Sequence, residues 1–268
     1  MAKVAGIQMA SGPNVAANLT EAARLIAKSV EAGAALVVLP ENFAIMPLKD
    51  EDRLAVAENE GKGAIQSFLS SQAREHGIWL VGGTIPFISA QPNLVRAVSL
   101  VFDNKGQQVG RYDKIHLFDV ALENGEKYSE SSYFEPGNEV TVIETPLGKL
   151  GMAVCYDLRF PELFRKLLDL DAEFVVVPSA FTEMTGLAHW EVLVRARAIE
   201  NQTYVIAPGQ GGYHVNGRET HGDSMIVNPW GIVLDRLERG SGFVIADLDK
   251  KKLATIRSSL PSIQHRRL

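Results

Sequence analysis

The sequence contains a single cysteine, Cys155, in a position suited to a nucleophile. An apolar run at residues 150–154 leads into it, and a charged segment with Pro161 follows, which predicts a buried strand ending at Cys155, a sharp turn and a helix beginning near Pro161. A thiol in that position lies near backbone N–H groups and a helix dipole, which favour a thiolate. The alternative, a cysteine that only fills the core, stays open at this point.

Glu41 offers a carboxylate for acid–base chemistry. It directly follows residues 35–40, a continuous apolar run of the kind that forms strands buried on both faces. A carboxylate at the end of such a strand would be partly desolvated, which raises its pKa towards neutrality and suits a general base. A helix cap and a solvated loop charge are the alternatives.

Lys114 offers a cation for the same chemistry. Alternation along residues 112–118 predicts a strand with Lys114, His116 and Phe118 on one face. An ammonium beside a thiol would stabilise a thiolate and an oxyanion, whereas an exposed edge-strand lysine is the alternative. His116 could form a Cys–His pair, and the alternative is a structural histidine.

The elements around these residues follow an alternating pattern of strands and helices. Helices are predicted at 14–32, 64–76, 161–170 and 189–201, and long loops at 119–137 and 208–223. Residues 35–43 also resemble residues 173–181, since each segment contains an apolar strand followed by a proline and, three residues later, a phenylalanine. Two similar halves predict two sheets with helices on their outer faces, within one domain of residues 1–268.

Three segments together resemble the catalytic blocks of the nitrilase, or carbon–nitrogen hydrolase, superfamily. The resemblance covers nearly the whole chain and implies an α/β fold, a four-layer αββα sandwich, with a triad of Glu41, Lys114 and Cys155. The three segments are Leu39-Pro40-Glu41-Asn42, Tyr112-Asp113-Lys114-Ile115-His116-Leu117-Phe118-Asp119 and Gly151-Met152-Ala153-Val154-Cys155-Tyr156-Asp157-Leu158-Arg159-Phe160-Pro161-Glu162.

The resemblance also implies further site residues. Tyr128-Ser129-Glu130-Ser131 resembles the segment that carries a second glutamate, so Glu130 is expected to orient Lys114 or the substrate. The backbone N–H of Tyr156 and Lys114 are expected to hold the oxyanion. Arg159 can offer a planar fork to a substrate carboxylate, although an ion pair with Asp157 or Glu162 is equally open. Thr185, in a predicted loop, is expected to supply a hydroxyl contact.

Segments later in the chain are similar to the branch of deaminated glutathione amidases, namely residues 179–181, 185–193, 195–200, 221–225 and 260–267. Omega-amidases share much of this pattern, and residues 208–223 match neither closely. The implied reaction is hydrolysis of the primary amide of a small 2-oxo-acid amide, deaminated glutathione ahead of 2-oxoglutaramate, through a cysteine thioester with release of ammonia. A nitrilase or N-carbamoyl amidase, a papain-like protease and a catalytically silent scaffold are the alternatives.

Composition limits the partners. The net charge of −5 and the absence of any Lys/Arg run longer than three residues argue against nucleic acid, and no apolar run reaches the ~18 residues of a membrane span. His214 and His221 lack a metal-ligand pattern, so neither a metal nor a cofactor is expected. One cysteine and an N-terminus without a signal-like apolar core predict a cytoplasmic protein. The family resemblance implies a homodimer.

Overall fold

The computed structural model describes residues 2–123 and 125–267. Its strands are β1 (Ala2–Gln8), β2 (Ala34–Val38), β3 (Trp79–Val81), β4 (Ile85–Ile88), β5 (Val95–Phe102), β6 (Gln108–Asp113), β7 (Asp119–Ala121), β8 (Lys127–Ser129), β9 (Val142–Thr145), β10 (Gly148–Met152), β11 (Phe174–Val176), β12 (Tyr204–Ala207), β13 (Gly211–Tyr213), β14 (Glu219–His221), β15 (Ser224–Val227), β16 (Val233–Leu237) and β17 (Gly242–Leu248). Its α-helices are α1 (Val15–Glu31), α2 (Asp52–Ala55), α3 (Ala64–His76), α4 (Pro161–Asp169), α5 (Glu183–Asn201) and α6 (Lys250–Ser259). Short 3₁₀ helices cover Glu130–Ser132, Cys155–Arg159 and Ser262–His265.

Two sheets form the centre of the molecule. The first has the order β17-β1-β2-β3-β5-β4, with β6 paired to β5, and the second has the order β16-β15-β12-β11-β10-β9. In each sheet three neighbouring strands are parallel, β1–β2–β3 and β10–β11–β12, and the flanking pairs are antiparallel. Helices α1 and α3 pack on the first sheet, α4 and α5 on the second, and β1 contacts β12 and β15 across the sheet interface. The predicted four-layer αββα sandwich is therefore confirmed.

The apolar runs that predicted buried strands are explained by these layers. Leu36 and Val38 of β2 join a hydrophobic cluster with strands of the second sheet. Val37 and Leu39, pointing the other way, join a second cluster with α1 and α3. Because both faces of the strand are covered, both sets of side chains must be apolar. One-domain organisation remains our proposal, and it is supported by the cluster that includes side chains of both sheets.

The sequence similarity between the two halves has a structural counterpart. Strands β2 and β11 each occupy a position between two parallel neighbours, and each is followed by a proline, Pro40 or Pro178. Glu41 follows the first proline directly. The carbonyl of the second accepts a hydrogen bond from the Cys155 N–H at 2.9 Å. The two halves therefore bring their strand ends to one site.

Two predicted long loops contain regular structure. Residues 119–137 include the antiparallel pair β7–β8 and the 3₁₀ helix at Glu130–Ser132, and residues 208–223 include the hairpin β13–β14. These strands have only three residues each, which is too short for alternation to be visible in sequence. The strand predicted through residues 112–118 is also wrong, because β6 ends at Asp113 and Lys114 begins the following loop.

Helix α5 begins six residues before the predicted residue 189, at Glu183. Thr182 caps it, since its hydroxyl oxygen accepts a hydrogen bond from the Thr185 N–H at 3.3 Å. Thr185 therefore lies in the first helical turn and not in a loop. Other predictions were close: α3 runs from Ala64 to His76 as expected, and Gly77 ends it in the left-handed conformation.

Gly83 provides a test of how tightly the Glu41 loop is fitted. Its φ is +51°, and an added Cβ would lie 2.0 Å from the Pro40 carbonyl oxygen. Gly77 has a similar φ of +64° with no atom within 4 Å of an added Cβ, so it is a matched control. We expect Gly77→Ala to lower the free energy of unfolding by about 1–2 kcal/mol through backbone strain alone. Gly83→Ala should lower the free energy of unfolding by a further ~1–3 kcal/mol, because the added Cβ clashes with the Pro40 carbonyl oxygen.

Denaturant unfolding of the two variants measures this difference. Equal losses of stability in Gly77→Ala and Gly83→Ala would show that the loop can move away from Pro40, contrary to our expectation.

Candidate active site

Lys114 lies between two carboxylates in the interior of the protein. Its Nζ is 2.8 Å from Glu41 Oε1 and 2.8 and 2.9 Å from the two carboxylate oxygens of Glu130. Burial alone lowers the pKa of this lysine, but the charges of Glu130, Glu41 and Cys155 outweigh it and raise the pKa well above the usual value. Only 2% of the Lys114 surface is exposed, so the alternative of an exposed edge-strand lysine is excluded.

Glu41 is held in place by the backbone around it. The next residue, Asn42, has a φ of +57°, and its N–H donates to the Thr84 hydroxyl at 2.9 Å. The Glu41 carbonyl accepts a hydrogen bond from the Gln210 side chain at 3.0 Å. Glu41 is 4% exposed, so it is not a solvated loop charge. Its carboxylate is therefore presented to Lys114 and Cys155 from a fixed turn.

Cys155 begins the 3₁₀ helix with a φ of +47°. It lies three residues after Met152, where β10 ends, so the prediction of a strand that ends at Cys155 is wrong by three residues. Burial raises the pKa of its thiol well above the usual value, the Glu41 carboxylate raises it further, and the Lys114 ammonium opposes both. This shift favours the neutral thiol, whereas the position near a helix N-terminus was expected to favour a thiolate. The helix that begins at Cys155 is a five-residue 3₁₀ helix, and its dipole does not outweigh burial beside a carboxylate.

Glu130 is the predicted second glutamate, and the structure places it beside Lys114. Its second oxygen also accepts the Phe118 N–H at 2.6 Å. Burial and the nearby Glu41 carboxylate raise the pKa of Glu130, although Lys114 opposes this shift. Among the described residues its carboxylate binds Lys114 and the Phe118 amide, and its orienting role stays a prediction.

Asp157 is a site residue that sequence reasoning missed. This fully buried carboxylate accepts hydrogen bonds from the Tyr112 hydroxyl at 2.7 Å, the Val154 N–H at 2.8 Å and the His116 N–H at 3.1 Å. It also lies 2.7 Å from His116 Nδ1. The available signal was a carboxylate two residues after Cys155, close to the end of an apolar run.

His116 has a structural role. Besides its contacts with Asp157, its ring stacks on Phe160, with centroids 3.7 Å apart and an interplanar angle of 6°. The histidine and Asp157 together join the loop that carries Lys114 to the helix that carries Cys155. Among the described residues no contact joins His116 to Cys155, so of the two alternatives for His116 the structural histidine is the one observed.

An open pocket leads to Cys155. Catalytic, aromatic and cationic side chains share its wall: Glu41, Asn42, Met46, Asp50, Arg53, Lys114, Phe118, Lys127, Tyr128, Ser129, Glu130, Tyr133, Phe134, Cys155, Tyr156, Arg159, Ala180, Phe181, Thr182, Thr185, Arg218, Glu219 and Thr220. Cys155 therefore faces a space that a ligand can enter, which a cysteine that merely fills the core would not do.

Arg159 and Thr185, both predicted from sequence, line this pocket. Arg159 lies over the rings of Phe181 and Tyr156, 5.3 and 5.9 Å from their centroids, and its Nη1 is 3.2 Å from His189 Nδ1. Within residues 2–123 and 125–267 it has no carboxylate partner, so the alternative of an ion pair with Asp157 or Glu162 is not observed. The role of the Tyr156 backbone N–H stays a prediction.

The fold and the site define a carbon–nitrogen hydrolase. The model of the carbon-nitrogen hydrolase family matches residues 3–258, and the chain belongs to this family. A deaminated glutathione amidase of Yersinia enterocolitica is 41% identical to it over 268 residues, covering 99% of this chain and 93% of that protein.

Solved structures agree with this assignment. The NitFhit protein of C. elegans matches with a TM-score of 0.90 at 34% identity, covering 100% of this chain and 66% of that one. Nit3 of Saccharomyces cerevisiae, a member of branch 10 of the nitrilase superfamily, matches with a TM-score of 0.89 at 32% identity, covering 100% and 97%. As for membranes, the described residues include no helix that is long and apolar enough to cross one.

The raised pKa of Cys155 predicts the pH dependence of its alkylation. Because the neutral thiol is poorly nucleophilic, reaction with iodoacetamide should be slower at pH 7 than for a free thiol, and its rate should rise throughout the range from about pH 7 to 10. Mass spectrometry of the modified protein follows the rate, with Cys155→Ala as the unreactive control. A rate that is already constant between about pH 6 and 8 would indicate a resting thiolate instead.

Proposed function

We propose that this protein hydrolyses the amide bond of a 2-oxo-acid amide, with deaminated glutathione as the foremost substrate, through a thioester on Cys155. The observation that carries the proposal is the buried group of Glu41, Lys114 and Glu130 beside a thiol that opens into a pocket. The similarity to a deaminated glutathione amidase across nearly the whole chain supports the substrate class.

The reaction begins from a neutral thiol. Glu41 takes the Cys155 proton as the sulfur attacks the amide carbonyl, so a stable thiolate is not required. Lys114 and the Tyr156 N–H hold the developing oxyanion, and loss of one such donor typically costs about 10²–10³ in rate. Glu41 then gives its proton to the departing nitrogen as the C–N bond breaks. Finally it activates a water molecule that cleaves the thioester and regenerates the thiol.

The leaving group needs one correction to the expectation from sequence. Deaminated glutathione contains no primary amide: its 2-oxoglutaryl group is joined to the nitrogen of cysteinylglycine. Its hydrolysis therefore releases a dipeptide amine, whereas 2-oxoglutaramate releases ammonia. Both reactions yield 2-oxoglutarate, so the same Cys155 chemistry serves either substrate and the two differ on the leaving-group side of the pocket.

Arg159 is the proposed partner of the carboxylate next to the oxo group. It lies four residues after Cys155, faces the pocket and retains its positive charge without a carboxylate neighbour in the described parts of the chain. A guanidinium can bind a carboxylate through two parallel hydrogen bonds. Thr185 lines the same wall, where its hydroxyl lies 2.8 Å from that of Thr182 and can bind the oxo group.

A substrate panel tests the proposed function. We expect the wild-type protein to release 2-oxoglutarate from deaminated glutathione, and more slowly from 2-oxoglutaramate, with little turnover of a simple nitrile or an N-carbamoyl amino acid. Cys155→Ala should lower the rate by about 10³-fold or more, because the nucleophile is removed. An enzymatic assay for 2-oxoglutarate measures the rate of the wild-type protein and that of Cys155→Ala. Failure to hydrolyse either amide, or undiminished release by Cys155→Ala, would contradict the proposal.

We further propose that the protein is cytoplasmic and forms a homodimer. The cytoplasmic location is supported by the single cysteine and the mildly acidic composition. The dimer is supported by large apolar side chains that are exposed along α5 and on the turn between β15 and β16, which are Leu187, Val192, Ile199, Trp230 and Ile232.

Light scattering after gel filtration tests the dimer. The expected mass is about twice that of the 29.3 kDa chain. Replacing Val192 by Glu should shift the mass towards the monomer, because a buried charge disfavours an apolar interface. A wild-type mass of one chain would contradict the homodimer.

A further inference from the structure

A second cationic site lies in the same pocket, away from Arg159. Arg53 and Arg218 share one carboxylate, Asp50, and all three residues line the pocket. Arg218 Nη2 is 3.3 and 3.5 Å from the two Asp50 oxygens. Two guanidinium groups around one carboxylate leave one positive charge uncompensated within the trio.

Arg218 is the more weakly paired of the two arginines. Arg53, only 4% exposed, holds Asp50 through a much closer contact, whereas the contact of Arg218 is at the long limit of a hydrogen bond. Glu219, the other pocket carboxylate nearby, pairs with Arg239 at 3.3 Å. In addition, the buried Nε of Arg53 has no hydrogen-bond partner in the described structure, so this cluster is not internally satisfied.

The cluster lies on the wall that Glu41 belongs to. The chain continues from Glu41 to Asp50, and the Asn216 side chain donates to the Pro47 carbonyl at 2.8 Å, which fastens the β13–β14 hairpin to this segment. The side chain of Gln210, just before the hairpin, binds the Glu41 carbonyl. Because Glu41 must deliver a proton to the departing nitrogen, the leaving group occupies this side of the pocket.

A row of aromatic rings separates the two cationic sites. Arg218 lies 5.4 Å from the centroid of the Tyr128 ring, Tyr128 contacts Phe118, and Phe118 contacts Tyr156, with ring centroids 5.1 and 5.0 Å apart. Tyr156 in turn lies beneath Arg159. The hydroxyl of Tyr128 donates a hydrogen bond to the Glu126 carboxylate at 2.7 Å. The pocket thus has a cation at each end of an apolar row.

We propose that Arg218, supported by Asp50 and Arg53, binds a terminal carboxylate of the leaving group. This inference rests on the proposed function and makes it more specific. A substrate with carboxylates at both ends and a neutral amide between them fits the two cations, and deaminated glutathione has this form, with a 2-oxo acid at one end and the glycine carboxylate at the other. 2-Oxoglutaramate has only the first carboxylate, so Arg218 distinguishes between the two amides.

The experiment compares three substrates that share the acyl half: deaminated glutathione, the same compound with its glycine carboxylate converted to an amide, and 2-oxoglutaramate. Arg218→Gln should lower kcat/KM for deaminated glutathione by about 10–100-fold, mainly through KM, because a charge-assisted carboxylate contact is lost. For the C-terminal amide and for 2-oxoglutaramate, kcat/KM of the same variant should stay within about threefold of the wild-type value, because neither substrate has the second carboxylate.

Two control variants complete the design. Arg159→Lys should raise KM for all three substrates, since every one of them carries the 2-oxo acid. Arg24→Gln, which alters an exposed arginine of α1 that pairs with Glu21 and does not line the pocket, should leave all three unchanged.

The outcomes separate the two levels of the proposal. If Arg218→Gln lowers all three activities equally, Arg218 only supports the hairpin and this inference is wrong while the proposed function stands. If Arg218→Gln changes none of them, its assignment to the leaving group is likewise wrong. If the wild-type protein hydrolyses none of the three amides, the proposed function itself fails, and the inference with it.

Discussion

The buried contact of Lys114 with Glu41 and Glu130 is the constraint on which the rest of the site depends. Removing charged groups from water is costly, and only close pairing offsets that cost, so moving Lys114 would leave both carboxylates without their cation. The three side chains come from the turn after β2, the end of β6 and the segment after β8. The trio places two carboxylates around one ammonium. Burial raises the pKa of the neighbouring Cys155 thiol, and the Glu41 carboxylate of the trio raises it further.

Asp157 fixes the nucleophile relative to that trio. A non-glycine residue with a φ of +47° is strained, and such a conformation persists only where its surroundings hold it. The Val154 N–H is bound to Asp157 and the Cys155 N–H to the Pro178 carbonyl, so the residue before Cys155 and Cys155 itself are both anchored. Since Asp157 also binds His116, two residues after Lys114, the nucleophile and the lysine are positioned by one carboxylate.

The layers and the central charges could be predicted from sequence, whereas the pocket's outer wall could not. Runs such as residues 35–40 are apolar because both faces of β2 are covered, and that signal is local. The position of Arg218 depends on contacts with Asp50, 168 residues away, through three-residue strands that show no periodicity. The raised pKa of the Cys155 thiol was missed for a related reason, because burial beside Glu41 is a property of the folded protein and not of the segment around the cysteine.

The charges for catalysis and for recognition have opposite signs, and the fold keeps them apart. The negative trio around Lys114 would repel a substrate carboxylate that came close to Cys155, and in a poorly solvated site this repulsion would be strong. Arg159 and Arg218 lie at opposite ends of the Tyr128–Phe118–Tyr156 row, so they draw carboxylates away from the trio. Of all parts of a dianionic substrate, the neutral amide can then approach Cys155 with the smallest electrostatic repulsion. Binding of the two terminal carboxylates therefore also selects which bond is presented to the thiol.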